Sequence, residues 1–306
     1  MNSAYIAKLM ELAEKDKDVI HLLADSGTGY DEMFRQNFPN QIFNFGIGEE
    51  NMVGAAAGMA TVGKKPYVFT AGAFLAYRAM EFIRDDVCFQ NLNVKIVGMG
   101  SGLSWSSLGP THHTTEDVAV LRALPNLRIL SPATPIQVGA AVLYAYEHEG
   151  PCYIKIGMNR EKEFFDNEYA LNDKGLDILR DGEDVVIYVT GSILEEVMIA
   201  ADKMLEQGIL ARIVNVVSIK PFDTGTLLED AKKFKKIFVV EEHNIHGGLA
   251  SLAAETITYG GVFAKICPIG LDDKFAEGYG THSMVRLRNN LDSESIFRYV
   301  MEKINE

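Results

Sequence analysis

Two acids, Glu49 and Glu50, stand beside Asn51 in the stretch FGIGEENMVGAAAG (45–58). A glycine-rich start leads into them, and a run of small apolar residues follows. An acid in a first helical turn is often only a complement to the helix dipole, worth about 0.3–1 kcal/mol. Small residues on all sides, however, let other backbones approach this helix closely. A carboxylate at the head of such a helix is desolvated, which favours sharing a proton with a ligand nitrogen. Other candidates read more plainly. His112 and His113 are adjacent, so in an extended loop they point to opposite sides, and no H-E-x-x-H accompanies them. His243 and His246 lie in EEHNIHGG, where the glycines suit a tight strand-to-helix turn. GMGSG (98–102) follows a strand but lacks the third glycine of a dinucleotide fingerprint. Neither a Walker lysine loop nor a G-x-S-x-G nucleophile elbow is present.

The elements that must position these residues alternate between strand and helix. Short apolar runs rich in β-branched residues predict strands at 19–24, 66–70, 94–99, 127–131 and 152–156. Helical patterns fall between them at 49–62, 74–90, 115–123 and 135–147, which implies βαβ units and a parallel sheet. The pattern breaks at 161–184, a charged stretch that reads as a surface linker. It restarts with strands at 185–191, 211–217, 236–242 and 264–270. Helices are expected at 192–207, from Gly248, and at 293–304 with Ser293 as N-cap. The expected fold is therefore α/β with two domains, 1–160 and 185–306, each a mostly parallel sheet flanked by helices.

The chain has 306 residues, 47% of them apolar, and a net charge of −13. That balance argues against a nucleic-acid or anionic-membrane surface, because both need clustered Lys and Arg. The one dense basic run, KKFKK (232–236), reads as a solvated helix end. Cys88, Cys152 and Cys267 are isolated in sequence, which fits a reducing cytoplasm. The first residues read as an amphipathic helix and not as a signal peptide.

Taken together, the motifs resemble a known family. FNFGIGEENMVGAAAGMA resembles the cofactor-binding segment of thiamine-diphosphate enzymes of the transketolase family. GPTHHTTEDVAVLRALPNLRILSPATPIQ (109–137) is similar to the same family's G-x-T-H segment and its continuation. ADS (24–26), AFLAY (73–77) and the VVEEH…GG turn (239–248) follow in the expected order. The resemblance covers essentially the whole chain and matches the second half of a full-length transketolase: a pyrimidine-binding domain, then a C-terminal domain.

The resemblance implies roles. Glu49 would share a proton with the aminopyrimidine ring of thiamine diphosphate, whose thiazolium serves as electron sink. Phe74 and Tyr77, at i and i+3, resemble aromatics that stack on the pyrimidine. Asp25 and Ile47 would lie beside the cofactor. His112 would protonate or orient the substrate oxygen, with His113 and Arg160 also near the substrate. The family's metal motif, G-D-G…N, is absent, so Mg2+ (or Ca2+) would be held mainly by a second, GDG-containing subunit that holds the diphosphate. Homodimerisation through this chain and a heterotetramer follow by analogy. Groups that read sugar phosphates in the family are also replaced. Asn2 and Met158 stand for arginines, Gly100 for a histidine, and Leu108 for an aspartate that contacts a substrate hydroxyl. The implied activity is transfer of a two-carbon ketol or related acyl unit from a sugar or 2-oxo acid to an aldehyde, in specialised sugar metabolism. The alternatives are the beta subunit of a 2-oxo acid dehydrogenase and a non-catalytic structural subunit. Trp105, the only tryptophan, lies in the altered loop and reads equally as part of an acceptor pocket or as a loop anchor.

Overall fold

A computed structural model describes residues 1–25, 29–304 and 306; Ser26 of the ADS run lies outside the described residues. The first half carries strands β1 (Val19–Leu23), β2 (Ile42–Asn44), β3 (Lys65–Ala71), β4 (Lys95–Met99), β5 (Arg128–Leu130) and β6 (Cys152–Ile156). The second half carries β7 (Leu176–Arg180), β8 (Val185–Thr190), β9 (Ala211–Val216), β10 (Ser218–Lys220), β11 (Lys236–Asn244) and β12 (Lys265–Leu271). Among the described residues these form a seven-stranded sheet, β10-β5-β6-β4-β3-β1-β2, and a five-stranded sheet, β12-β11-β8-β9-β7.

Every pairing is parallel except β10 with β5 and β7 with β9. Helices cover both faces of the first sheet, and β1, β4 and β6 are buried along their whole length. Buried strands of this kind need no polar face, which is why they read as continuous apolar runs. Lys95 and Lys155 are exceptions, and both are satisfied. Lys95 Nζ donates to the carbonyls of His148 and Gly150 at 2.9 and 2.8 Å. Burial pulls its pKa down to about 8. Lys155 Nζ pairs with Asp117 at 2.7 Å.

β1 pairs with β2 on one side and β3 on the other. The chain leaves β1 in one direction and returns in the other, which makes the carboxyl ends of β1 and β3 a topological switch point. Open parallel sheets form their ligand crevices there.

Three expectations need correction. The stretch 161–184 is not an uninterrupted linker, since β7 lies within it and pairs with β9. As an antiparallel edge strand it tolerates charged, exposed side chains, so its apolar signal is weak. Strand β10 was not foreseen either; it leaves the second half and pairs with β5 of the first sheet. Ser293 is the first residue of its helix, and the cap is Asp292, whose Oδ1 accepts the amides of Glu294 and Ser295 at 3.1 Å. Two short elements, the Gly29–Asn37 helix and β2, also escaped the periodicity reading.

A buried polar knot joins the halves. Glu242, on β11, accepts from Arg286 Nε at 2.5 Å, His282 Nε2 at 2.8 Å and the Leu103 amide at 3.3 Å. Burial alone would raise its pKa, but Arg286 and His282 together hold the carboxyl well below the usual range. A depressed carboxyl pKa contributes stability above the unfolded value of about 4.3, and that contribution fades as pH falls below it. Glu242→Ala leaves Arg286 buried without its counter-charge, so a loss of about 3–5 kcal/mol is expected in thermal melts near neutral pH. The gap between wild type and Glu242→Gln should narrow as the melts are repeated below about pH 4.

Candidate active site

The site is built at the carboxyl ends of β1 to β4. Past β1 the chain turns at Asp25, which adopts a left-handed backbone (φ 47°) that Asp tolerates better than most residues. Its amide donates to Asn44 Oδ1 at 3.2 Å, tying the end of β1 to the end of β2. The same oxygen accepts from the Gly46 amide at 2.9 Å and sets the turn toward Glu49. Thr70 Oγ1 donates to the Ala24 carbonyl at 3.1 Å and ties in β3.

Glu49 opens the Glu49–Thr61 helix and is 2% exposed. Its Oε2 accepts from Arg78 Nη1 at 2.7 Å, while Oε1 makes no hydrogen bond among the described residues. Glu50, its neighbour, is half-buried.

Beyond β3, Phe74–Arg78 forms a π-helical turn. In an α-helix, residues three and four apart share a face. The wider π turn keeps the four-apart contact, with Arg78 Cζ 5.0 Å from the Phe74 ring centroid, but rotates the three-apart position off that face. Tyr77 is turned away: its hydroxyl donates to Glu116 Oε2 at 2.8 Å and accepts from the Glu116 amide at 3.0 Å.

Beyond β4, the loop 100–114 closes at its neck through the Gly102–Thr114 bridge. It carries Trp105 and His112. The His112 ring lies edge-on to Phe74, centroids 5.1 Å apart, and 5.8 Å from Trp105. Thr111 Oγ1 is 2.9 Å from His112 Nδ1. The result is a continuous row of groups: Glu49, Arg78, Phe74, His112, Trp105.

An open cleft of about 230 Å³ is lined by Asp25, Ile47, Glu49, Phe74, Trp105 and His112, with Met99 and Leu108 completing its wall. Five of the residues singled out from sequence thus come together. Three do not. Tyr77 is held at Glu116, for the reason given. His113 is 3% exposed, and neither ring nitrogen has a hydrogen-bond partner among the described residues; burial lowers its pKa. Arg160 is exposed and lies outside the cleft lining. Arg78 is the functional candidate that sequence reasoning passed over; its signal was the charge four residues after Phe74 in FLAYR. Asn2 reaches the cleft wall indirectly, through Nδ2 to Met99 Sδ at 2.9 Å. No group of three or more His, Cys, Asp or Glu side chains among the described residues is placed to hold a metal ion.

Comparison with known proteins decides the family. Residues 1–158 match the transketolase pyrimidine-binding domain, and residues 175–279 match the transketolase C-terminal domain. The chain belongs to the transketolase family. It is 35% identical to one of the subunits of the apulose-4-phosphate transketolase of Actinobacillus succinogenes, over 96% of this chain and 97% of that one. It is 32% identical to the 6-deoxy-6-sulfo-D-fructose transketolase subunit SqwH of Clostridium sp., over 99% and 94%. A solved split-gene transketolase, described as an inactive beta4 tetramer, superposes with a TM-score of 0.91 at 33% identity, covering 99% of this chain and 98% of that one. The transketolase family is thiamine-diphosphate dependent and catalyses ketol transfer. This chain is a C-terminal transketolase subunit of the split kind, and the 2-oxo acid dehydrogenase alternative is not favoured.

The placement of Tyr77 is testable. Tyr77→Phe removes the hydroxyl that bridges to Glu116, so a stability loss of about 0.5–1.5 kcal/mol is expected in denaturant unfolding. Cofactor affinity of the assembled enzyme should stay unchanged in calorimetric titration.

Proposed function

We propose that this chain supplies the pyrimidine-binding half of a split transketolase site. In this reading Glu49 holds the cofactor's aminopyrimidine and Phe74 stacks on it. The enzyme then moves a two-carbon ketol unit from a ketose or 2-oxo acid donor to an aldehyde acceptor. The observation that carries the reading is the pairing of a carboxylate 2% exposed with an aromatic face and a histidine around one cleft. That set suits a flat heterocycle: a hydrogen-bonding oxygen at one edge, an aromatic face beside it, and space for its substituent toward His112. When bound, thiamine diphosphate supplies the carbon nucleophile and the electron sink of ketol transfer.

The residues of this chain do the rest. Glu49 exchanges a proton with the ring nitrogen it faces. Arg78 holds the other oxygen of that carboxyl, Oε2, at 2.7 Å. His112, held by Thr111 and packed on Phe74, orients or protonates the substrate oxygen. Asp25 and Ile47 bound the cofactor ring at the ends of β1 and β2.

The diphosphate and its divalent cation, Mg2+ or Ca2+, fall to a second subunit carrying G-D-G…N. Two copies of each chain would make a heterotetramer, with homodimerisation through this chain. The beta4 assembly described for the split-gene relative supports self-association of such chains. The relatives named for apulose 4-phosphate and 6-deoxy-6-sulfo-D-fructose support a specialised sugar substrate over the central pentose pathway. The acidic balance and isolated cysteines favour the cytoplasm.

Calorimetry tests the assembly. Thiamine diphosphate with magnesium should bind tightly only to this chain mixed with the G-D-G…N subunit, and binding by neither sample would sink the reading. In that complex Glu49→Gln should lower kcat by about 10²- to 10⁴-fold while size-exclusion shows the assembly intact. Unchanged turnover would remove Glu49 from the chemistry.

A further inference from the structure

Trp105 stands at the far end of the row of groups that begins at Glu49. The sequence of contacts orders the cleft. Glu49 and Phe74 meet the cofactor ring in the proposed function, His112 packs on Phe74, and Trp105 packs on His112 with centroids 5.8 Å apart. In that reading the indole would flank the reacting oxygen on the side of His112 opposite Phe74.

Its own bonding sets it apart from a loop anchor. A buried indole N–H normally finds a hydrogen-bond partner, yet Trp105 Nε1 is buried with none among the described residues. What holds the ring is shape. Gly100 has a left-handed backbone (φ 82°), and a Cβ there would lie 2.0 Å from Trp105 Nε1. The glycine makes the space that the indole fills. The wall beyond it is Leu108 and Met99, and among the described residues no lysine or arginine lines the cleft. The guanidinium of Arg78 is taken up by Glu49.

We propose that Trp105 is a specificity-determining residue of this transketolase site: its indole packs on the C–H face of a short hydroxyaldehyde acceptor next to the carbonyl. The proposal rests on the reading of the cleft as a ketol-transfer site. Because the described residues of the wall include no cation, it reads carbon skeleton and not charge. A phosphate at the distal end of the acceptor is recognised elsewhere, so it leaves the contribution of Trp105 unchanged.

The test uses the assembled two-subunit enzyme with thiamine diphosphate, magnesium and hydroxypyruvate as donor. Glyceraldehyde and glyceraldehyde 3-phosphate are the acceptors. Trp105→Ala should raise KM for both by the same factor, about tenfold, with kcat within about threefold of wild type, the signature of lost uniform binding. Cofactor affinity by calorimetry should not move. Trp105→Phe should restore most of the loss. Gly100→Ala, which pushes the indole aside without deleting it, should raise KM in the same direction. As Trp105 is the only tryptophan of this chain, its emission, taken as the difference from the Trp105→Phe complex, should change on saturation with glyceraldehyde. An unmoved KM, turnover of neither aldehyde, or emission indifferent to glyceraldehyde overturns the proposal. So does a KM rise matched by a loss of cofactor affinity, which is what a loop anchor would give. Cofactor binding by wild type with unmoved KM overturns this inference alone; no cofactor binding by wild type removes the underlying reading as well.

Discussion

A carboxylate kept out of water must be met by a charge or a proton, and much of the site follows from that constraint on Glu49. Its helix can sit deep because it is built of small residues: at Gly54 a Cβ would already touch Phe82 at 3.5 Å. Depth desolvates the acid, and the π turn after β3 brings Arg78 across Phe74 to meet it. The widened turn keeps Arg78 on the Phe74 ring and leaves Tyr77 to Glu116. π turns at functional positions are a recurrent device for re-aiming side chains.

The second half of the chain contributes to the cleft without lining it. Loop 100–114 carries Trp105 and His112, and residues on β11 and after β12 hold that loop. Glu242 accepts the Leu103 amide, and Gly280 donates its amide to the Ser106 carbonyl at 3.2 Å. Gly109, at φ 74°, leaves room for the Tyr279 ring, which a Cβ there would meet at 2.2 Å. Strand β10 extends the first sheet. One apolar core runs from Met52 and Val68 through Val118 to Val214 and Val239. The two halves are thus mechanically joined, and a change at Arg286 or His282 reaches loop 100–114 through the Glu242 knot.

How much of this the sequence disclosed depends on which physical signal each element carries. Strand Cys152–Ile156 and helices Pro135–Glu147 and Ser293–Ile304 match their expected bounds, because burial on both faces or one apolar stripe leaves a clear period. β7 and β10 were missed because one is a charged edge strand and the other has three residues. The site divides along the same line. Asp25, Ile47, Glu49, Phe74 and His112 converge on one cleft because each lies in the connection that follows β1, β2, β3 or β4 or opens the element after it, and strand order brings those connections together. Tyr77 is expected beside Phe74 from α-helical spacing; in the π turn its hydroxyl meets Glu116. Trp105 and Gly100 could be named but not placed, since their fit depends on a left-handed backbone that composition does not show.

The cleft is open, and its chemistry is one-sided. Among the described residues it offers acids, rings and apolar walls, but no cation beyond the one held by Glu49. A cofactor with a diphosphate tail cannot be satisfied by such a surface alone, because each phosphate oxygen needs a donor or a metal. The charge balance of the whole chain, at −13, points the same way. In the proposed reading the cation and the donors for the diphosphate come from the second subunit, so affinity for the cofactor would be a property of the joined subunits. In that reading the two halves of the cofactor would be met by two surfaces of opposite chemical character.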